Sequence, residues 1–168
     1  MRGRAKAAAI EAALAGMRQS NRAAAECLAR HGATAATDVT GFGLAGHLLE
    51  MLEAPRVAAA LDLAAVKTYP DAVTLAGSGI ASTLVPQNLS LVSGLKSDAL
   101  LLDATLALLF DPQTSGGLLA GIPPNHAPAC LDDLKRAGYA HAMIIGEVLP
   151  STDGEPGKIR LSGHFAKC

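Results

Sequence analysis

TDVTGFGLAGHLLEM, residues 37–51, crowds an acid, two hydroxyls and three glycines into the approach to an amphipathic helix. The residues before it, Ala33 to Val39, read as a short strand. After it, Leu44, Leu48, Met51 and Leu52 fall on one face of a helix from about Leu44 to Glu53, with Pro55 marking its exit. A strand that runs through a glycine loop into a helix presents unpaired backbone N–H groups at the helix start, where the macrodipole also favours an anion such as phosphate. Gly41 and Gly43 let the backbone approach that anion, and Thr40 is placed to cap the helix or donate its hydroxyl. Asp38, at the strand end, repels a bare phosphate. A divalent cation between them reconciles the two, since Mg²⁺ is commonly held by one or two carboxylates plus phosphate oxygens. The competing reading of the same residues is turn geometry, with Asp38 capping the turn through an Asx bond.

Outward from that unit, strands and helices alternate. Ile10, Leu14, Met17, Ala24 and Leu28 are spaced as one long amphipathic helix over 5–30, stopped at His31-Gly32. Asn21 interrupts its apolar stripe, either as a buried amide bonded to a neighbouring loop or because the stripe is narrower than drawn. Val57 to Leu63 suits a strand buried on both faces, and Tyr69 to Ala76 a helix with Pro70 in its first turn. Residues 80–94 read as an ordered loop and Ala99 to Phe110 as a helix. Asp111 to Gly117 (DPQTSGG) is a turn-rich bend that launches a strand from Leu118 to Ile122, with lining of an inter-domain cleft as its alternative role. A helix over 127–137, a strand over 141–148, a polar turn over 151–157 and an edge strand over 158–161 complete the chain. The pattern predicts one domain, residues 1–168: an α/β (α+β) sandwich with a mixed sheet and packed helices.

Composition narrows the function classes. Half of the 168 residues are apolar, so a packed core is expected. With no Trp, three Phe and two Tyr, a protein that stacks bases on aromatic rings is disfavoured, and a net charge of −1 gives no reason to invoke nucleic acid. No apolar stretch is long enough to span a bilayer. Cys27, Cys130 and Cys168 are far apart in sequence, with no CxxC pair and no clustered histidines, so neither a disulfide framework nor a zinc site is suggested, and the expected location is the cytoplasm. His47 and Glu50 read as part of a solvated helix face, and Lys96 and Arg56 as surface charge.

ATAATDVTGFGLAGHLLEM (33–51), LLFDPQTSGGLLAGIP (108–123) and IIGEV (144–148) together resemble the C-terminal domain of selenophosphate synthetase, also called selenide, water dikinase, within the aminoimidazole ribonucleotide synthetase-like superfamily. The likeness runs from the Gln19-Ser20-Asn21-Arg22 helix to Val148. It implies an ATP-dependent reaction that phosphorylates selenide to selenophosphate, with AMP and orthophosphate as the other products. It also implies that Asp38 is a Mg²⁺ ligand and that Thr37, Thr40, Gly41 and Gly43 lie beside the ATP phosphates. In the family the reactive Cys or selenocysteine, a catalytic Lys and most ATP contacts belong to an N-terminal domain, for which these residues hold no counterpart. The resemblance therefore implies no catalytic residue in this chain, an isolated chain that is inactive, a missing N-terminal domain as its partner, and a full-length homodimer. The rival expectations are a fragment of a related small-molecule kinase and a stand-alone, non-catalytic module docking on an ATP-binding partner.

Overall fold

The computed structural model describes residues 4–97, 103–150 and 156–166. The chain begins with α1 (Ala7–Arg18) and α2 (Arg22–Arg30), two helices where the periodicity predicts one. The break at Gln19-Ser20-Asn21 has a physical cause. The Tyr139 hydroxyl donates to the Ser20 carbonyl at 2.7 Å and accepts from the Ala24 N–H at 3.0 Å, replacing the ladder bonds of a continuous helix. Asn21 meanwhile donates its side-chain amide to the Gly116 carbonyl at 2.9 Å, so its interruption of the stripe marks a bond to a distant loop. The large apolar residues of α1 do not enter the core: Ile10, Leu14 and Met17 are 49%, 46% and 38% exposed, and only Ala9 of this helix is buried.

β1 (Ala35–Asp38) leads through the glycine loop to α3 (Gly43–Glu53), and β2 (Ala58–Asp62) follows. α4 (Ala72–Gly77) starts two residues later than Pro70 suggests, after Asp71 in a left-handed conformation. The expected loop at 80–94 contains α5 (Val85–Asn88) and a 3₁₀ turn (Leu89–Gly94), and the unanticipated β3 (Leu95–Ser97) comes next. α6 (Asp103–Leu109) is the described part of the helix expected over 99–110; its first residues lie outside the described ones. β4 (Leu118–Gly121), α7 (Ala127–Arg136) and β5 (Gly146–Leu149) fall where the sequence puts a strand, a helix and a strand, the last of them shorter than expected. The polar turn expected over 151–157 is described only at Pro156 and Gly157.

β6 (Ile159–Ser162) corrects the reading of 158–161 as an edge strand. The larger sheet has the order β3-β6-β2-β5, so β6 is interior, parallel to β3 and to β2, while β5 is antiparallel to β2. Ile159 and Leu161 are 0% and 2% exposed, as a strand paired on both sides requires. β1 and β4 form a separate antiparallel pair, with Asp38 opposite Leu118. The main core lies between the large sheet and the helices α3 and α6: Leu48 and Leu52 of α3, and Leu109 with Phe110 at the end of α6, pack on Leu61, Ile159 and Leu161. The result is a mixed α/β domain.

A satellite cluster sits where α2 meets α7. There Cys27, Leu28 and Cys130 pack with Ala33, Leu118, Ala120, Ile122 and Leu134. Two cysteines 103 residues apart are thus neighbours, with His31 beside them, a grouping that sequence spacing does not suggest. Among the described residues, no helix is long and apolar enough to cross a membrane.

Candidate functional site

The two glycine-rich motifs form one assembly. The N–H of Val39 donates to the Gly117 carbonyl at 2.9 Å, and that of Gln113 to the Thr40 carbonyl at 3.0 Å. A Cβ at Gly116 would overlap the Val39 carbonyl oxygen, so only glycine allows the loops to close on one another. Asn21 ties the far side of the same loop through Gly116. The bend at 111–117 does launch β4, and in doing so becomes the floor beneath the loop between β1 and α3.

Asn88 locks the assembly from a third direction. It is 6% exposed, and its side-chain amide donates to the Gly41 carbonyl at 2.8 Å and the Phe110 carbonyl at 3.0 Å. No periodicity or motif marks Asn88 in the sequence. Asn21, by contrast, announces itself as a polar break in an apolar stripe.

The glycines separate into two kinds. Gly43, the first residue of α3, has φ +70° and lies so close to α6 that a Cβ would come within 2.7 Å of the Phe110 carbonyl carbon. Its conformation and packing both demand glycine. Gly41 has neither demand: a Cβ there would meet nothing within 4 Å, and the residue is exposed. Among the described residues, nothing in the packing or the backbone conformation requires a glycine at 41.

Thr40 and His47 also depart from expectation. No side chain caps α3, whose N-cap residue is Phe42, and the Thr40 hydroxyl lies 3.3 Å from His47 Nε2. His47 Nδ1 lies 3.0 Å from a Glu50 carboxylate oxygen. A carboxylate can only accept, so in the neutral ring Nδ1 carries the proton and Nε2 accepts from Thr40. His47 is 8% exposed rather than solvated; α3 buries Gly43, Ala45 and Gly46 as well as Leu48, so its buried face is broader than the leucine stripe suggests. Phe42 stacks obliquely on the His47 ring, centroids 5.5 Å apart, while remaining 45% exposed.

Asp38 ends β1 with its side chain exposed, and no described residue hydrogen-bonds or ion-pairs with its carboxylate. Asp62 offers the contrast: its Oδ1 accepts from the Ala64 N–H at 2.9 Å in an Asx bond. Asp38 makes no such bond, and Thr37 spends its hydroxyl on the Asp38 carbonyl at 3.2 Å. The other acid of the assembly, Asp111, is half-buried. Burial pushes its carboxyl above the ordinary carboxylate range, opposed by hydrogen bonds from Gln113 and Ser82. Asp38 thus presents an exposed carboxylate with no described partner, chemically an oxygen ligand of the kind hard divalent cations take.

A family model, AIR synthase related protein, C-terminal domain, matches residues 5–157. Selenide, water dikinase of Porphyromonas gingivalis is 37% identical over 147 residues, which cover 85% of this chain and 41% of that protein. The Myxococcus xanthus selenide, water dikinase is 39% identical over 148 residues, covering 86% of this chain and 41% of its own. The chain thus spans about two fifths of the length of these curated relatives. Among solved structures, hydrogenase maturation protein HypE in complex with ATP superposes with a TM-score of 0.55 at 18% identity, over 86% of this chain and 37% of the other. That likeness is one of fold.

Proposed function

Since the chain belongs to the AIR synthase related family through that family's C-terminal domain and is homologous to selenide, water dikinases, we propose that it is the C-terminal half of a selenide, water dikinase, the enzyme that converts ATP, selenide and water to selenophosphate, AMP and phosphate. The observation that carries this reading is the convergence of its two motifs on an exposed carboxylate, Asp38, and an open glycine, Gly41. In this reading Asp38 is a Mg²⁺ ligand, and Thr37, Thr40, Gly41 and Gly43 form the wall beside the ATP phosphates. Mg²⁺, when bound, neutralises charge on the phosphoryl groups.

The residues of this chain divide that work. Gly41 gives the backbone close access to phosphate oxygens, and Gly43, whose own N–H is taken by the Thr40 carbonyl at 3.1 Å, sets the turn from which α3 starts. Thr40 contributes its backbone, because its hydroxyl is engaged by His47. Asn88 and Gln113 hold the loop fixed, so its dipoles need no reorganisation when charge develops. The nucleophile and most of the ATP site belong to an N-terminal domain with which this chain pairs.

The test is reconstitution. The purified chain alone should form no selenophosphate from ATP and selenide. Mixing it with a separately expressed N-terminal domain of a selenide, water dikinase should restore Mg²⁺-dependent AMP and selenophosphate formation. Activity of the chain alone, or failure of the mixture to bind Mg²⁺-ATP more tightly than its parts, would overturn the proposal.

A further inference from the structure

The satellite cluster between α2 and α7 carries chemistry that the glycine-loop site does not use. Cys27 and His31 lie four residues apart at the end of α2, one turn of helix, so their side chains share a face. Cys130 and Asp133 lie three apart on α7 and share another. The packing of the two helices brings these faces together: one ligating atom each from Cys27, His31 and Cys130 lie within 4.8 Å of one another. Both thiols are 1% exposed, while the side chains of His31 and Asp133 are 17% and 32% exposed and open the cluster on one side.

We propose that Cys27, His31 and Cys130 form a binding site for a thiophilic divalent cation of the zinc class, with Asp133 as the carboxylate that orients the imidazole. Two thiolates and an imidazole are the donor set that such ions select over the oxygen donors preferred by Mg²⁺. Asp133 holds His31 Nε2 at 2.8 Å, leaving Nδ1 for the ion, and a carboxylate on the remote nitrogen is the partner that metal-bound histidines usually carry. Arg136 holds the other oxygen of Asp133 and fixes the carboxylate in turn. Metal–sulfur bonds of about 2.3 Å and metal–nitrogen bonds of about 2.0 Å set tetrahedral ligand atoms roughly 3.4–3.8 Å apart, so closing the site takes movement of about 1 Å. A water takes the fourth position.

The charges balance. Both cysteines are 1% exposed and sit in an apolar cluster, where an uncompensated charge is costly. Binding of the dication displaces one proton from each thiol to solvent, and two thiolates then cancel the charge of the ion, so no net charge is buried. The site is remote in chemistry from the glycine loop and does not rest on the selenide, water dikinase reading.

Co²⁺ is the probe. Added to the reduced, metal-free 168-residue chain, it should bind at one equivalent and produce a thiolate-to-cobalt charge-transfer band with the intense visible bands of a tetrahedral site, all bleached by Zn²⁺ and unaffected by excess Mg²⁺. Cys27→Ala/Cys130→Ala should abolish the charge-transfer band while far-ultraviolet circular dichroism stays unchanged. Should that double variant fail to fold, the partly exposed side of the site gives the same answer. There His31→Gln should remove tight binding, and Asp133→Asn should weaken it by about 10–100-fold with the charge-transfer band retained. No charge-transfer band in the wild-type chain, a band that persists in the folded double variant, or binding indifferent to His31→Gln and Asp133→Asn would each overturn the proposal.

Discussion

Asn88 donates to the carbonyl of Gly41 across 47 residues of sequence, at 2.8 Å. With its second bond to Phe110, this one amide ties the loop before α3 to the end of α6 from a buried position. Asn88→Ala leaves the Phe110 carbonyl buried without a partner and should cost about 2–3 kcal/mol in urea unfolding. Asn88→Asp should cost more, because it sets a carboxylate against two carbonyl oxygens.

Gly43 and Gly41 should respond oppositely to a methyl group. Gly43→Ala meets a left-handed backbone, worth about 1–2 kcal/mol by itself, and a close contact with Phe110, so the melting temperature should fall clearly. Gly41→Ala should leave stability within about 0.5 kcal/mol of the parent. In the reconstituted enzyme it should instead lower selenophosphate formation by roughly 10–100-fold, as a misplaced phosphate would. Equal loss of stability in both variants would remove the case for Gly41 as a ligand-facing position.

Asp38→Asn tests the proposed metal ligand. Its carboxylate has no described partner, so unfolding free energy should change by less than about 0.5 kcal/mol. The reconstituted activity should fall by about 100-fold or more, since a cation site contributes several kcal/mol to phosphoryl transfer. The Mg²⁺ concentration needed for half-maximal rate should rise in the same variant.

Asp111 should reveal itself through pH. Its folded pKa is raised, so the folded state binds its proton more tightly than the unfolded state does. Stability from this group is therefore greatest in acid and declines as pH rises through the ordinary carboxylate range to the raised value. Asp111→Asn keeps an acceptor for Gln113 and removes the cost of burying a charge. Denaturation at pH 7 should find the variant at least as stable as the parent, and the difference should move towards the parent's favour as pH falls below that range.

The sequence made some of this legible and hid the rest for identifiable reasons. TDVTGFG showed a strand, a loop and a helix because glycines and leucine spacing are local signals, and α3 begins at Gly43 within a residue of the expected position. The division between α1 and α2 stayed hidden because it is imposed by the hydroxyl of Tyr139, more than 100 residues away. Lys158 to Leu161 looked like an edge because a short strand after a polar turn carries no sign of two partners. His47 looked wet because three leucines and a methionine seemed to define the buried side, whereas the small residues Gly43, Ala45 and Gly46 widen it. Asp38 was readable as a candidate, but its lack of an Asx bond is visible only in three dimensions. The pairing of Cys27 with Cys130 is a tertiary fact for which spacing offers no rule.

The place of β6 bears on the order in which the molecule can be made. β6 is the last described strand to leave the ribosome, yet it fills the gap between β3 and β2, and among the described strands it is β6 that joins β3 to the sheet. β2 can pair with β5, and β1 with β4, without residues 159–162, but the large sheet cannot close until they are in place. Its non-local pairings make closure the slow step of folding, during which the flank of β2 and the whole of β3 stand open to strands of other chains. Losses during synthesis should therefore concentrate in the interval before Ile159 reaches its seat, and variants that weaken β6 should show themselves first as aggregation of nascent chains.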